Sequence, residues 1–300
     1  MAHLTLPSPA KLNRFLHIVG RRADGYHLLQ TAFQFTDLCD EIHFSLLSAN
    51  TIELARDLEG VPYEENLIVK AAQLLKRATN SPEGVAISVD KKLPLGSGLG
   101  GGSSNAATTL IGLNALWKLN LPISTLMKLG SQLGADVPVF VYGHAALGEG
   151  IGDELTAIEL DEPWCLILVP QCQISTPKLY ADPQLTRNTP RLTMEALRLR
   201  GDCEQQSSLL KNDFEPVARA RYPQVAEALD WLDQFGGARL SGSGSSVFAL
   251  FEREEQARAV AEQVPEHMTG WIVKTKTISP LAKKAITDKI ADYKWGVAKW

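Results

Sequence analysis

Apolar and polar positions alternate through much of the first third of the chain. Leu12 to Val19, Leu28 to Phe35, Glu41 to Leu47 and Thr51 to Ala55 carry alternating or β-branched patterns that predict strands. Asp24-Gly25 marks a turn between the first two. From Asn66 to Thr79 the period lengthens, and Leu67, Ile68, Ala71, Ala72, Leu74 and Leu75 fall on one stripe of a helix. Val85 to Lys91 alternates again as a short strand. A glycine-rich run follows, then a helix over Ser103 to Leu119 and another over Ile123 to Leu133, stopped by Gly134. Ala145 to Gly152 reads as a tight strand and turn.

A second unit begins near Leu155. Trp164 to Val169 has the density of a buried strand. Thr193 to Leu199, Phe214 to Ala220, Gln224 to Phe235 and Glu254 to Val264 read as helices. Ala238–Leu240, Val247–Phe251 and Trp271–Thr277 read as strands, the first two flanking a second glycine-serine turn, Ser241 to Ser246. Strands and helices mix without regular βα alternation, which predicts an α+β protein of two domains. We place them at 1–155 and 156–277, followed by a polar tail, 278–300, expected to be loosely held.

Composition narrows the class. At 300 residues and 45% hydrophobic content the chain can bury a sizeable core, and a net charge of −4 gives no basic footprint for nucleic acid. Cys39, Cys165, Cys172 and Cys203 form no CxxC pair and no zinc spacing with histidine, as expected of buried thiols in a reducing compartment. The N-terminus lacks an apolar signal core, and the densest apolar stretch, Trp164 to Pro170, is too short to span a bilayer. The expectation is a soluble cytoplasmic protein without membrane or nucleic-acid partners.

The chemistry concentrates in three patches. Pro94 to Ala107 reads PLGSGLGGGSSNAA, with five glycines and three serines. Glycine is the costliest residue to order, so a folded protein that gathers it here needs bare backbone close to something. Amides turning into a helix N-terminus make an anion site, most often for phosphate. A flexible Gly/Ser linker is the competing reading, but long apolar segments on both sides place the run inside a domain. Gly96, Gly98 and Gly101 match G-x-G-x-x-G. However, Lys92 to Leu95 separate them from the strand, and no acid ends a following strand at dinucleotide spacing. No Gly-Lys-Ser/Thr ends the run, so it is not a Walker loop. Ser103 and Ser104 can cap the helix, bond a phosphate or ligate Mg²⁺.

In the second patch, Gly134 to Phe140, Asp136 stands alone among apolar neighbours. It is either the N-cap of a helix with Pro138 in its first turn, or a functional carboxylate that takes a proton from an acceptor hydroxyl. The third patch is Pro9-Ala-Lys11-Leu-Asn13. An exposed strand lysine is usually just solvated, whereas in phosphoryl transfer a lysine neutralises the moving group and keeps a nearby carboxylate ionised.

These patches, in this order, resemble the GHMP kinases, small-molecule kinases with neither a Walker loop nor the protein-kinase motif set. The family's Pro-x-x-x-Gly-Leu-x-x-x-Ser-Ser motif is Pro94 to Ser104 here, and Gly242-Ser-Gly244 fits its late glycine motif. In that motif Ser243 and Ser246 stand where the family often has Thr and Cys. Ser8 to Asn13, Arg21 to His27, Glu65 to Leu67, Gly134 to Phe140 and Arg187 to Pro190 narrow the resemblance. They point to the branch that phosphorylates the 2-hydroxyl of a cytidine diphosphate conjugate of methylerythritol, a step toward isoprenoid precursors outside the mevalonate route.

The resemblance implies an N-terminal ATP-binding β-α-β domain and a C-terminal ferredoxin-like domain with the site between them. It implies Asp136 as catalytic base and Lys11 beside it. The ATP phosphates would lie on Pro94, Leu95, Gly96, Ser97, Gly98, Leu99, Gly100, Gly101, Gly102, Ser103 and Ser104, with Mg²⁺ carried mainly by ATP and no protein ligand fixed by a motif. Asn66, Leu67 and Lys91 (or Lys92) would line the adenine side. Tyr26 and His27 would bind cytosine with Tyr180 as the opposite ring, and Asn13 would place the methylerythritol hydroxyls. By spacing alone, Tyr26 and His27 also suit simple decoration of a hairpin after Asp24-Gly25. Two other readings compete: a GHMP kinase for mevalonate or homoserine, which offer no ring to stack, and an RNA-binding module, which the acidic charge disfavours.

Overall fold

The computed structural model describes residues 2–56, 58, 60–193 and 210–295; apart from Thr193, the predicted helix over 193–199 lies outside them. Two long antiparallel strands, β1 (His3–Arg21) and β2 (His27–Leu47), form the spine. The separate strands expected over 28–35 and 41–47 are one. A bulge sets Thr36, Asp37 and Leu38 of β2 against the single residue Ala10, so the polar Thr36-Asp37 step is absorbed without ending the strand. At that point strand β10 (Thr269–Lys276) joins β2 and links the two halves into one sheet, ten-stranded among the described residues.

The first half continues with β3 (Ile52–Leu54), helix α1 (Leu67–Thr79) and β4 (Gly84–Asp90). β3 and β4 run parallel, with α1 as the crossover. α1 buries Ile68, Val69, Ala71, Ala72 and Leu75, the face its periodicity predicts, and Asn66 caps it by accepting from the Ile68 N–H at 2.9 Å. Helix α2 (Gly101–Leu116) is buried around nearly its whole circumference, the polar Ser104, Asn105, Thr108, Thr109 and Asn114 included. It packs with α1, α3 (Ile123–Gly130) and α4 (Val137–Tyr142) over Phe35 and Phe44 of β2. Short strands β5 (Ala146–Glu149) and β6 (Glu154–Ala157) complete this half.

In the second half β7 (Trp164–Val169), β8 (Arg239–Leu240), β9 (Val247–Phe251) and β10 lie in the order β10-β7-β9-β8, all antiparallel. With α5 (Thr176–Ala181), α6 (Glu215–Arg221), α7 (Pro223–Asp233) and α8 (Glu254–Ala261), this is the ferredoxin-like arrangement.

The expected loose tail is corrected over its described part. Pro280–Thr287 forms a helix, α9, capped by Ser279, with Leu281, Ala282 and Ala285 fully buried against the first half. Three apolar side chains at helical spacing outweigh the polar composition around them. Among the described residues no helix is long and apolar enough to cross a membrane.

Candidate active site

A cleft of about 480 Å³ opens where the two halves meet, lined by both glycine-serine loops, β1, β2 and the start of α4. β1 supplies Lys11 and Asn13, two residues apart and so on one face of the strand. Both are buried. The Lys11 ammonium lies 3.1 Å from Asp136 Oδ2, donates to Asn13 Oδ1 at 2.6 Å and sits 5.5 Å from the centre of the Phe33 ring. The Asn13 amide donates onward to Thr31 Oγ1 at 2.8 Å. Asp136 occupies the N-cap position of α4, yet its side chain caps no backbone N–H. The carboxylate turns to Lys11 instead, so the side-chain capping that its position allowed is not made.

The glycine loop reaches β1 through its backbone, the Lys11 N–H donating to Leu99 O at 3.0 Å. Gly98 has φ +81°, and a Cβ there would lie 2.5 Å from Ser241 O, so only glycine lets the two loops approach this closely. Gly100, at φ +76°, is the N-cap of α2. The N–H groups of Gly101, Gly102 and Ser103 fall in the first turn, where a helix offers them no internal acceptor, and all three residues line the cleft. The helix dipole adds positive potential at the same point. A Cβ built on Gly134 would lie 3.8 Å from Ser103 Oγ, so this hydroxyl stands between the loop and the turn bearing Asp136.

The structure divides the other expected residues. Pro94, Gly96, Ser97 and Leu67 line the cleft with the loop. Leu99 is buried in the core, and Ser104 accepts from Ser8 Oγ at 2.9 Å inside the protein, so neither faces the cleft. Leu95 is exposed in a neighbouring groove rather than in the cleft. The Asn66 Oδ1 is spent on its cap, while its Nδ2 is buried without a partner. Lys91 pairs with the buried Asp40, its ammonium beside Gly101.

At the opposite end Tyr180, on α5, lies edge-on to Phe214 with centroids 4.9 Å apart. His27 and Tyr180 stack on each other, 4.6 Å apart and 17° from parallel, rather than flanking a gap. Tyr26 is 61% exposed and stands off the cleft. Burial pushes the Tyr180 phenol up to about 12, the Asp136 charge adding to it, so the hydroxyl stays protonated. Burial lowers the His27 pKa, with Arg187 and Arg21 adding to the effect. Arg187 donates to the carbonyls of Tyr180 and Asp182 at 2.9 and 2.7 Å, which fixes the turn that ends α5.

Several residues that build the site carry no motif. Asn212 donates to Leu240 O and Gly242 O at 2.8 and 2.7 Å and so holds the second glycine loop, while Phe214 lines the cleft. Thr176 and Ser243 share a hydrogen bond of 2.7 Å across it. Asp40 is the exception in leaving a signal: it shares the parity of Ile42 and Phe44, an acid on the inward face of a strand.

A phosphate-type loop facing a Lys–Asp pair, with no Walker lysine, defines a small-molecule phosphotransferase site. Comparison with known proteins agrees. GHMP kinases N terminal domain matches residues 66–144 and GHMP kinases C terminal matches residues 193–270. The chain belongs to the GHMP kinase family and is therefore an ATP-using kinase of small molecules. It is 50% identical over 286 residues to 4-diphosphocytidyl-2-C-methyl-D-erythritol kinase of Marinobacter nauticus, covering 95% of this chain and 98% of the relative. It is also similar to a crystal structure of 4-(cytidine 5'-diphospho)-2C-methyl-D-erythritol kinase, with TM-score 0.77, 32% identity, and coverage of 91% of this chain and 99% of that one. Homoserine kinase from Cytophaga hutchinsonii shares the fold alone, at 18% identity and TM-score 0.66 over 93% of this chain and 96% of that one.

Proposed function

We propose that the chain transfers the γ-phosphoryl group of ATP to the 2-hydroxyl of 4-diphosphocytidyl-2-C-methyl-D-erythritol in the cytoplasm, giving ADP and the 2-phosphate, a step in non-mevalonate isoprenoid precursor synthesis. The observation that carries this reading is the Lys11–Asp136 pair at 3.1 Å, set against the opening of the glycine loop. Asp136 takes the proton as the acceptor oxygen attacks. The Lys11 ammonium lies beside it, neutralising charge on the transferring group, and Asn13 orients the acceptor. The amides of Gly101 to Ser103 hold the phosphates, and Leu67 with the Asn66 Nδ2 offers an apolar surface and a donor to adenine. A nucleotide-borne Mg²⁺ fits the Ser103 hydroxyl and would supply charge neutralisation when bound.

Tyr180 and Phe214 form the base-binding end with His27, which stacks on Tyr180, while Tyr26 stands outside it. His27 Nε2 is buried without a partner, which suits the hydrogen-bonding edge of cytosine. We assign residues 1–155 to the ATP domain, 156–277 to the C-terminal domain and 278–300 to the tail. ADP release should depend on the cytidine conjugate, with mevalonate and homoserine inactive at matched concentration. Turnover of either small alcohol in preference to the conjugate would overturn the substrate assignment.

A further inference from the structure

The glycine loop must arrive at the nucleotide already shaped, because ordering glycine backbone on binding would be charged against affinity. Asp40 on β2 is fully buried and lies off the cleft lining, so it does not face the bound nucleotide. Its Oδ1 accepts from the backbone N–H of Lys92 and Leu93 at 2.7 and 2.8 Å, the two residues that precede Pro94. Its Oδ2 accepts from Asn105 Nδ2 at 2.9 Å and from the Lys91 ammonium. Asn105 sits in α2 just after Ser103-Ser104, and its amide also donates to Ser8 Oγ at 2.8 Å. One carboxylate therefore grips the chain immediately before the loop and immediately after it, and ties both ends to the β1–β2 spine.

The charge is suited to this task. Backbone and amide donors bond an ionised carboxylate more strongly than a neutral acceptor, and the Lys91 ammonium next to the positive end of α2 needs an anion beside it. The Lys91 ammonium lies 3.0 Å from where a Gly101 Cβ would stand, so displacing it would disturb the first turn of α2. We propose that Asp40 is the positioning residue that pre-shapes the loop from Pro94 to Ser104 for the triphosphate, by clamping both of its ends. This rests on the reading of the loop as the ATP phosphate site.

The test compares three variants of the full-length enzyme by steady-state kinetics with both substrates varied and by thermal melting. Asp40→Asn keeps the shape of the side chain but turns part of it into a donor facing Lys91 and Asn105. It should raise KM for ATP about tenfold or more, while kcat at saturating ATP and KM for the cytidine conjugate stay within about twofold. A folded Asp40→Asn enzyme with normal KM for ATP overturns the clamp. So does one that loses kcat and both KM values together, because that is a general structural defect. Should Asp40→Asn not fold, Asn105→Ala carries the test. It removes only the tie after the loop and should raise KM for ATP about three- to fivefold, whereas no change overturns the proposal. Gly102→Asp separates this proposal from the reading beneath it, since a Cβ there makes only ordinary contact and the added charge opposes phosphate. If Gly102→Asp leaves KM for ATP unchanged, the loop is not the phosphate site. If it raises KM while Asp40→Asn and Asn105→Ala do not, only the clamp falls.

Discussion

The glycine-loop end of the cleft is lined by Gly98, Gly100, Gly101 and Gly102, the aromatic end by Tyr180 and Phe214. The first presents main chain, held by the main-chain bonds Lys11 N to Leu99 O and Ser246 N to Ser97 O, by close contact of Gly98 with Ser241, and by the Asp40 carboxylate at both ends of the loop. The second presents side chains, and one of them, His27, lies flat on Tyr180 where a base would stack. An anion site made of amides can be complete before its ligand arrives, since its donors cannot rotate away. An aromatic site must exchange one ring contact for another. The two ends should therefore fail differently, the glycine-loop end in kcat or KM for ATP and the aromatic end in KM for the acceptor.

The largest effect is expected beside the loop. Asp136→Asn should lower kcat by about 10⁴-fold with ATP binding intact, measured by nucleotide titration. Near-normal turnover would remove Asp136 as the base. Lys11→Met comes next, with kcat down by about 10²–10³-fold, since it removes one charge from the transferring group while the loop amides remain. A loss confined to KM would place Lys11 in binding alone.

At the other end, Tyr180→Ala should raise KM for the cytidine conjugate by about 10–100-fold, as expected from ~1–3 kcal/mol of stacking, while KM for ATP holds. If kcat falls instead, the two ends are coupled rather than independent. The smallest effect concerns pH. The His27 pKa is lowered in the fold, so the unfolded chain takes up this proton first as pH drops below about 6.5. The contribution is therefore full above about pH 6.5 and declines as pH falls toward the lower folded value. His27→Gln should flatten the fall in Tm between about pH 7 and 5.5, and an unchanged slope would mean that His27 is not held neutral by its surroundings.

The regular elements were legible wherever one face of a segment is apolar, as in α1 and β4. They failed where a tertiary partner changed the rule. The sequence pattern ends one strand at Phe35 and begins another at Glu41, but β10 pairs at Phe35 and Thr36 and the strand runs on. The tail reads as loose, but Leu281, Ala282 and Ala285 find the first half to bury against. In the site, Lys11, Asp136 and the glycine loop were each visible as unusual chemistry in an apolar setting. Asn212 was not, because holding the carbonyls of Leu240 and Gly242 is a relation across 28 and 30 residues that leaves no local pattern.

Sequence alone determined that a bare-backbone anion loop, a lone acid and a strand lysine occur in one α+β chain, because each is a departure from its local surroundings. Tertiary structure alone decided that Asp136 answers Lys11 rather than capping α4, that Ser104 and Leu99 face inward while Ser103 faces the cleft, and that His27 lies on Tyr180. Each of these depends on which of two directions a side chain takes. That direction is set by partners more than 90 residues away for Asp136, Ser104 and His27, beyond the reach of any periodicity.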